Sequence, residues 1–115
     1  MDATFSKEER LTKQAEIDAV YRGGRRWTAK FFRLHVKPNG LEVSRLAVSV
    51  PGRLCDAVRR NRWKRLLRES FRLNKAAIGP GLDIVAVPTK PPGDLKRPQV
   101  EFVFVNLIER HRGRA

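Results

Sequence analysis

The stretch "AVRRNRWKRLLRESFR" (Ala57–Arg72) carries seven arginine or lysine side chains in sixteen positions. Like charges crowded on one segment repel. The stretch is therefore either an ordinary solvated face or a surface built to meet something densely negative. Trp63, Leu66, Leu67, Ser70 and Phe71 recur at i, i+3, i+4, i+7 and i+8. That spacing predicts a helix from about Asp56 to Asn74 with these residues turned inward. Asn61, Lys64, Arg65, Arg68 and Arg72 fall on the opposite side, with Arg60 and Arg62 at its margins. Glu69 alone interrupts the basic face, within i,i+4 reach of Arg65, and Asp56 sits near the positive end of the helix. A face of one charge sign costs stability unless phosphates neutralise it, and the planar guanidinium fork suits phosphate oxygens. A helix lying on a membrane fits poorly, because the opposite face is committed to a core.

Composition points the same way. A chain of 115 residues is the size of one domain, spanning residues 1–115. An apolar fraction of 41% suffices for a core, and 25 Lys and Arg against 12 Asp and Glu leave a formal charge of +13. Solubility alone would be served by mixed-sign charge. The excess argues for a polyanionic partner, with nucleic acid ahead of an anionic membrane surface. No apolar run approaches the length of a membrane span, and "MDATFSKEER" lacks the apolar core of a signal peptide, so a cytoplasmic location is expected. The single cysteine, Cys55, excludes an internal disulfide and fits a reducing compartment.

Around the basic helix the chain alternates between short patterns. "KQAEIDAVYR" (13–22) places Ile17, Val20 and Tyr21 on one helical face, with Thr12 as expected N-cap and Gly23–Gly24 as the stop. "FFRLHVK" (31–37) alternates, with Phe32, Leu34 and Val36 on one side and Phe31, Arg33 and His35 on the other. "PNG" (38–40) signals a turn. "RLAVSV" (45–50) alternates again and ends at Pro51–Gly52. The two alternating runs are expected to pair antiparallel. "LDIVAV" (82–87) lies between glycine and proline and reads as a buried strand. Val100, Val103, Phe104, Leu107 and Ile108 recur at helical spacing, with Pro98 in the first turn. The predicted fold is an α+β two-layer sandwich, a small mainly antiparallel sheet with helices packed on it.

DNA and RNA are both open to a basic helix. The buried flank and the paucity of base-reading residues favour backbone contact to a shaped RNA over groove reading in DNA. The stretch "AVRRNRWKRLLR", with the triplet Arg60-Asn61-Arg62 followed by Lys64, Arg65 and Arg68, resembles the signature of the bacterial ribonuclease P protein family. "EIDAVYRGGRR", "RLAVSV" and "GLDIVAVP" extend the resemblance from Arg10 to Val87. It implies a left-handed β-α-β crossover, against the usual hand. It implies a protein subunit that assists a catalytic RNA in removing the 5′ leader of precursor tRNA, an endonuclease reaction. Arg60, Asn61, Arg62, Lys64, Arg65, Arg68 and Arg72 would dock on the RNA subunit. A cleft holding the single-stranded leader would comprise Ile17 and Tyr21 on the first helix with Phe31, Arg33 and His35 on the strand, where aromatic rings stack on unpaired bases without reading sequence. Mg2+ would be held mainly by the RNA subunit and the substrate. The partners implied are that RNA and precursor tRNA, with no membrane and no protein partner required.

Three departures from the family pattern stand out. Ile17 occupies a position that is often aromatic, Trp63 one that is usually aliphatic, and "SVPGRLCDAV" lacks the paired lysines and glycine common ahead of the helix. Carboxylates are scattered, and no nucleophile is paired with a base, so no catalytic residue is assigned and the isolated chain is predicted inactive. His35 lacks a ligand set, which leaves no metal site. A ribosomal-type structural RNA-binding protein without a leader cleft is the alternative, and a DNA-binding module a further one.

Overall fold

The computed structural model describes residues 5–114. In chain order it comprises a 3-10 turn (Lys7–Glu9), α1 (Gln14–Gly23), β1 (Arg25–Thr28), β2 (Phe32–Pro38), β3 (Arg45–Val48), α2 (Ala57–Leu73), the one-turn α3 (Lys75–Ile78), β4 (Leu82–Pro88) and α4 (Arg97–His111). The four strands form one mixed sheet in the order β1-β2-β4-β3.

β4 decides that order. Every residue from Leu82 to Pro88 is buried, which requires neighbours on both edges and cover on both faces. It pairs antiparallel with β2, Leu34 opposite Ala86, and parallel with β3, Leu46 opposite Ile84. The expected antiparallel pairing of 31–37 with 45–50 is thereby corrected, because β4 lies between them. β3 reaches its parallel neighbour through α2, a β-α-β connection. The "PNG" turn forms, with Gly40 at φ 70°, yet it opens a loop rather than a hairpin. Asn39 organises that loop, accepting from the Leu41 N–H (2.7 Å) and donating to Val43 O and Asp83 Oδ1.

The sequence patterns give no sign of β1. Its residues Arg-Arg-Trp-Thr include three exposed positions, as suits a short edge strand, and it pairs antiparallel with β2. The Trp27 indole N–H donates to His111 Nδ1 at 3.0 Å, pinning this edge to the end of α4. Between α1 and β1, Gly24 is required by close approach: a Cβ there would lie 2.5 Å from Val20 O and 2.8 Å from Val36 O. The N-cap of α1 is Lys13, one residue later than expected, with no side-chain capping bond.

The two faces of the sheet are covered unequally. On one, α2 and α4 close over the main core, in which Phe32, Leu34, Ile84, Trp63, Leu67, Phe71 and Phe104 are buried. On the other, α1 and the segment before it contribute Val20 and Leu11 to a smaller cluster with Val85 and Val87. An ion pair anchors α1 there. Arg45 forms a bidentate pair with Asp83 (2.7 and 2.8 Å) and reaches Glu16 of α1 at 3.2 Å. Hydrogen bonding to Asp83, then to Glu16, raises the guanidinium above its ordinary pKa against the opposing effect of burial.

Candidate nucleic-acid interface

α2 buries Trp63, Leu66, Leu67, Ser70 and Phe71, the five positions its periodicity predicts. The Ser70 hydroxyl donates to Leu66 O (2.7 Å) and so enters the core without an unpaired polar atom. Asp56 is the N-cap. It accepts from the Arg59 N–H (2.9 Å) and pairs with the Arg59 guanidinium, so its negative charge is spent on the helix start.

The seven residues assigned to RNA docking divide into two groups. Arg60 donates to Gly52 O (3.0 Å) and Cys55 O (2.8 Å), bracing the loop that leads into the helix. Arg62 donates to Leu95 O on the opposite flank. Arg72 pairs with Glu69 at 2.7 Å, and this bond pulls the Glu69 carboxyl below its ordinary pKa. The expected partner, Arg65, is not used. Asn61, Lys64, Arg65 and Arg68 make no hydrogen bond or ion pair within the protein among the described residues, and all but Lys64 are exposed. They form a ridge of phosphate donors that are not occupied elsewhere.

The residues assigned to the cleft separate as well. Tyr21, Arg33 and His35 converge. The Tyr21 ring stands edge-on to His35, with centroids 4.8 Å apart, and Arg33 Nε donates to His35 Nε2 at 3.0 Å. Burial, followed by the charges of Arg33 and Arg26, lowers the His35 pKa. The imidazole is then the neutral acceptor this bond requires. Tyr21 is 39% exposed above it. Phe31 lies elsewhere. It precedes β2, packs against the main core and lines a cavity on the α4 side. Strand alternation assigns it to the wrong face because the regular strand begins only at Phe32.

Ile17 and Arg68, expected on two different surfaces, line one cavity of about 360 Å3 together with Arg10, Leu11, Leu46 and Ala47. The N-terminal segment builds this junction by running beside β3, where the Leu11 N–H donates to Leu46 O (3.0 Å). Sequence reasoning missed Arg10 and also Lys30 and Lys90, whose ammonium groups flank the Phe31 ring. Each is an isolated cation in a loop or turn, without periodicity to mark it.

Among the described residues no group of three or more His, Cys, Asp or Glu side chains could hold a metal ion. Glu9 pairs with Lys75 and Glu101 with Arg97, and Glu16, Asp56, Glu69 and Asp83 are paired as described above. Among the described residues the carboxylates do not gather into a set that would fit a protein-held Mg2+ centre. No helix of the described residues is long and apolar enough to cross a membrane.

Comparison with known proteins places these surfaces in context. The sequence profile of the family described as Ribonuclease P matches residues 5–112. The ribonuclease P protein component of Thermotoga maritima is 37% identical over 118 residues, covering 98% of this chain and all of that one. A solved structure of RNase P protein from Thermotoga maritima superposes with a TM-score of 0.80 at 32% identity, covering 89% of this chain and 96% of that one. RNase P protein from Staphylococcus aureus superposes with a TM-score of 0.78 at 27% identity, covering 90% and 95%.

Proposed function

We propose a division of labour between two surfaces of this chain, which belongs to the ribonuclease P protein family: α2 docks it on RNA, and the α1 side of the sheet receives single-stranded leader. As a ribonuclease P protein component the chain is part of the holoenzyme that processes tRNA, and the RNase P RNA is its partner. Contact with precursor tRNA is our extension of that role.

The observation that carries this reading is the unspent ridge of Asn61, Lys64, Arg65 and Arg68, which turns into the α1 side of the sheet through the Arg10–Ile17–Arg68 cavity. A backbone leaving the ridge passes Arg68 and Arg10 and reaches Tyr21 and Arg33. The Tyr21 ring offers a stacking platform that does not depend on base identity, and the Arg33 guanidinium keeps N–H groups for phosphate beyond its bond to His35. His35 supports both neighbours and sits too deep to act alone. Arg60 and Arg62 serve the docking helix by holding the loops on either side of it. Mg2+ belongs, in this proposal, mainly to the RNA subunit and the substrate, and the protein supplies position and counter-charge. We also place the assembly in the cytoplasm.

The test is leader dependence. With RNase P RNA present, precursor tRNA should bind more tightly than the same tRNA lacking its leader. Tyr21→Ala should remove about tenfold of that gain, the scale of one lost base stack. Affinity that is independent of leader length in the wild-type complex would remove the leader role from this face.

A further inference from the structure

The structure assigns a second RNA subsite on the α4 side of the sheet: a slot built around Phe31 that takes one unpaired base of the RNase P RNA. The inference rests on α2 docking to that RNA. The Phe31 ring is half-buried, with Lys30 Nζ 5.5 Å and Lys90 Nζ 5.6 Å from its centroid. Beside it opens a cavity of about 220 Å3 walled by Leu95, Val100 and Val103, with Gln99 at its border. Gln99 Oε1 accepts from the Lys96 N–H at 2.8 Å. Its amide N–H groups are left without a protein acceptor among the described residues.

A nucleotide answers each of these features. Its base fills an apolar slot with an aromatic floor, its ring acceptors meet the Gln99 amide, and its phosphodiester neutralises two ammonium groups that otherwise crowd one ring. In a chain of net charge +13, two lysines drawn to one phenylalanine are stabilised further by an anion between them.

The slot is structurally continuous with the docking helix. Arg62 bonds Leu95 O, and the Trp63 indole N–H donates to Lys90 O at 2.8 Å. Consecutive residues of α2 thus hold the loop that carries both a wall of the slot and one of its lysines. The slot also lies on the opposite side of the sheet from Tyr21 and His35. These two facts select the RNase P RNA over the leader as the source of the base.

The complex of the protein with RNase P RNA tests this, using Phe31→Leu, which keeps an apolar plug, and the double variant Lys30→Ala/Lys90→Ala, which alters only exposed side chains. Dissociation constants and nucleotide-resolution chemical probing would be measured without precursor tRNA, then with precursor tRNA carrying or lacking its leader. We expect each variant to weaken RNase P RNA binding about tenfold and to expose a short unpaired segment of that RNA, with leader dependence unchanged. Wild-type affinity and protection in both variants would overturn the slot, as would a loss seen only with leader-bearing precursor tRNA. Arg65→Ala/Arg68→Ala serves as a separate arm. Unchanged RNase P RNA binding there would refute docking through α2, whereas the Phe31 footprint reports on the slot alone. The lysine variant keeps the test decisive should Phe31→Leu lower stability.

Discussion

On one face of the sheet α2 and α4 close over Trp63, Phe104, Ile84 and Leu34, none of which retains solvent exposure. On the other, α1 and the segment before it cover Val85 and Val87 with little more than Val20 and Leu11, and the attachment of α1 is completed by Arg45, Asp83 and Glu16. The contrast separates two ways of presenting charge. Where the core is sealed, α2 is held by its buried face, and Lys64, Arg65 and Arg68 on its outer side make no hydrogen bond or ion pair among the described residues. Where the core is thin, polar groups hold one another, as Arg33 and His35 do, and part of an aromatic ring is left to solvent.

The largest expected effect breaks the sealed face. Trp63→Ala should cost about 3–5 kcal/mol in urea denaturation, the range for truncating a buried large aromatic residue. It would also leave Lys90 O without its donor. A loss under about 1 kcal/mol would mean that the core under α2 is not close-packed. Next comes the thin face. Arg45→Met should cost about 2–3 kcal/mol, because Asp83 would remain buried without its charged partner, and the range lies below that of a fully enclosed pair because Glu16 is partly solvated. The loss should appear as early hydrogen exchange in α1 and spare α2. Uniform loss of protection would erase the distinction between the faces.

The docking ridge predicts a smaller, salt-dependent change. Arg65→Ala/Arg68→Ala should flatten the dependence of log K on log salt by roughly 0.7–0.9 for each phosphate that is no longer neutralised. Arg62→Ala should leave that slope almost intact, since its guanidinium is turned to Leu95 O. Equal slope changes in the two variants would cancel the division between ridge and brace.

The smallest effect is a titration. Burial, with neighbouring arginine charge, lowers the pKa of both His35 and His111 from 6.5. The unfolded chain therefore takes up protons below about pH 6.5 that the folded chain does not. Stability should be flat with respect to these groups above that pH and should fall as the pH drops through it. His35→Gln should remove part of the fall, because an amide cannot gain the charge. A stability that rises on acidification between about pH 7 and 6 would reverse the assignment.

How much is legible in the sequence differs between the elements for physical reasons. The inward face of α2 can be read residue by residue, because a long helix repeats one burial pattern over several turns. β2 and β4 are equally visible through alternation and a continuous apolar run. β1 is not, since a four-residue edge strand with three exposed positions carries no such signal. In the candidate site, the convergence of Tyr21, Arg33 and His35 follows from correctly predicted faces of α1 and β2. The misplacement of Phe31 comes from extending that alternation one residue beyond the strand.

Sequence alone determined α1, β2, β3, α2, β4 and α4, the polarity of the basic helix and the family, because each rests on local periodicity, charge and a signature contained in one segment. Only the tertiary structure decided that β4 separates β2 from β3, that Arg60 and Arg62 brace loops while Arg65 and Arg68 stand free, and that Lys30, Phe31 and Lys90 meet beside one slot. Those outcomes depend on contacts between residues distant in the chain. Strand order follows from which strand can be covered on both faces and both edges, and the role of each arginine follows from which carbonyl the fold brings within its reach.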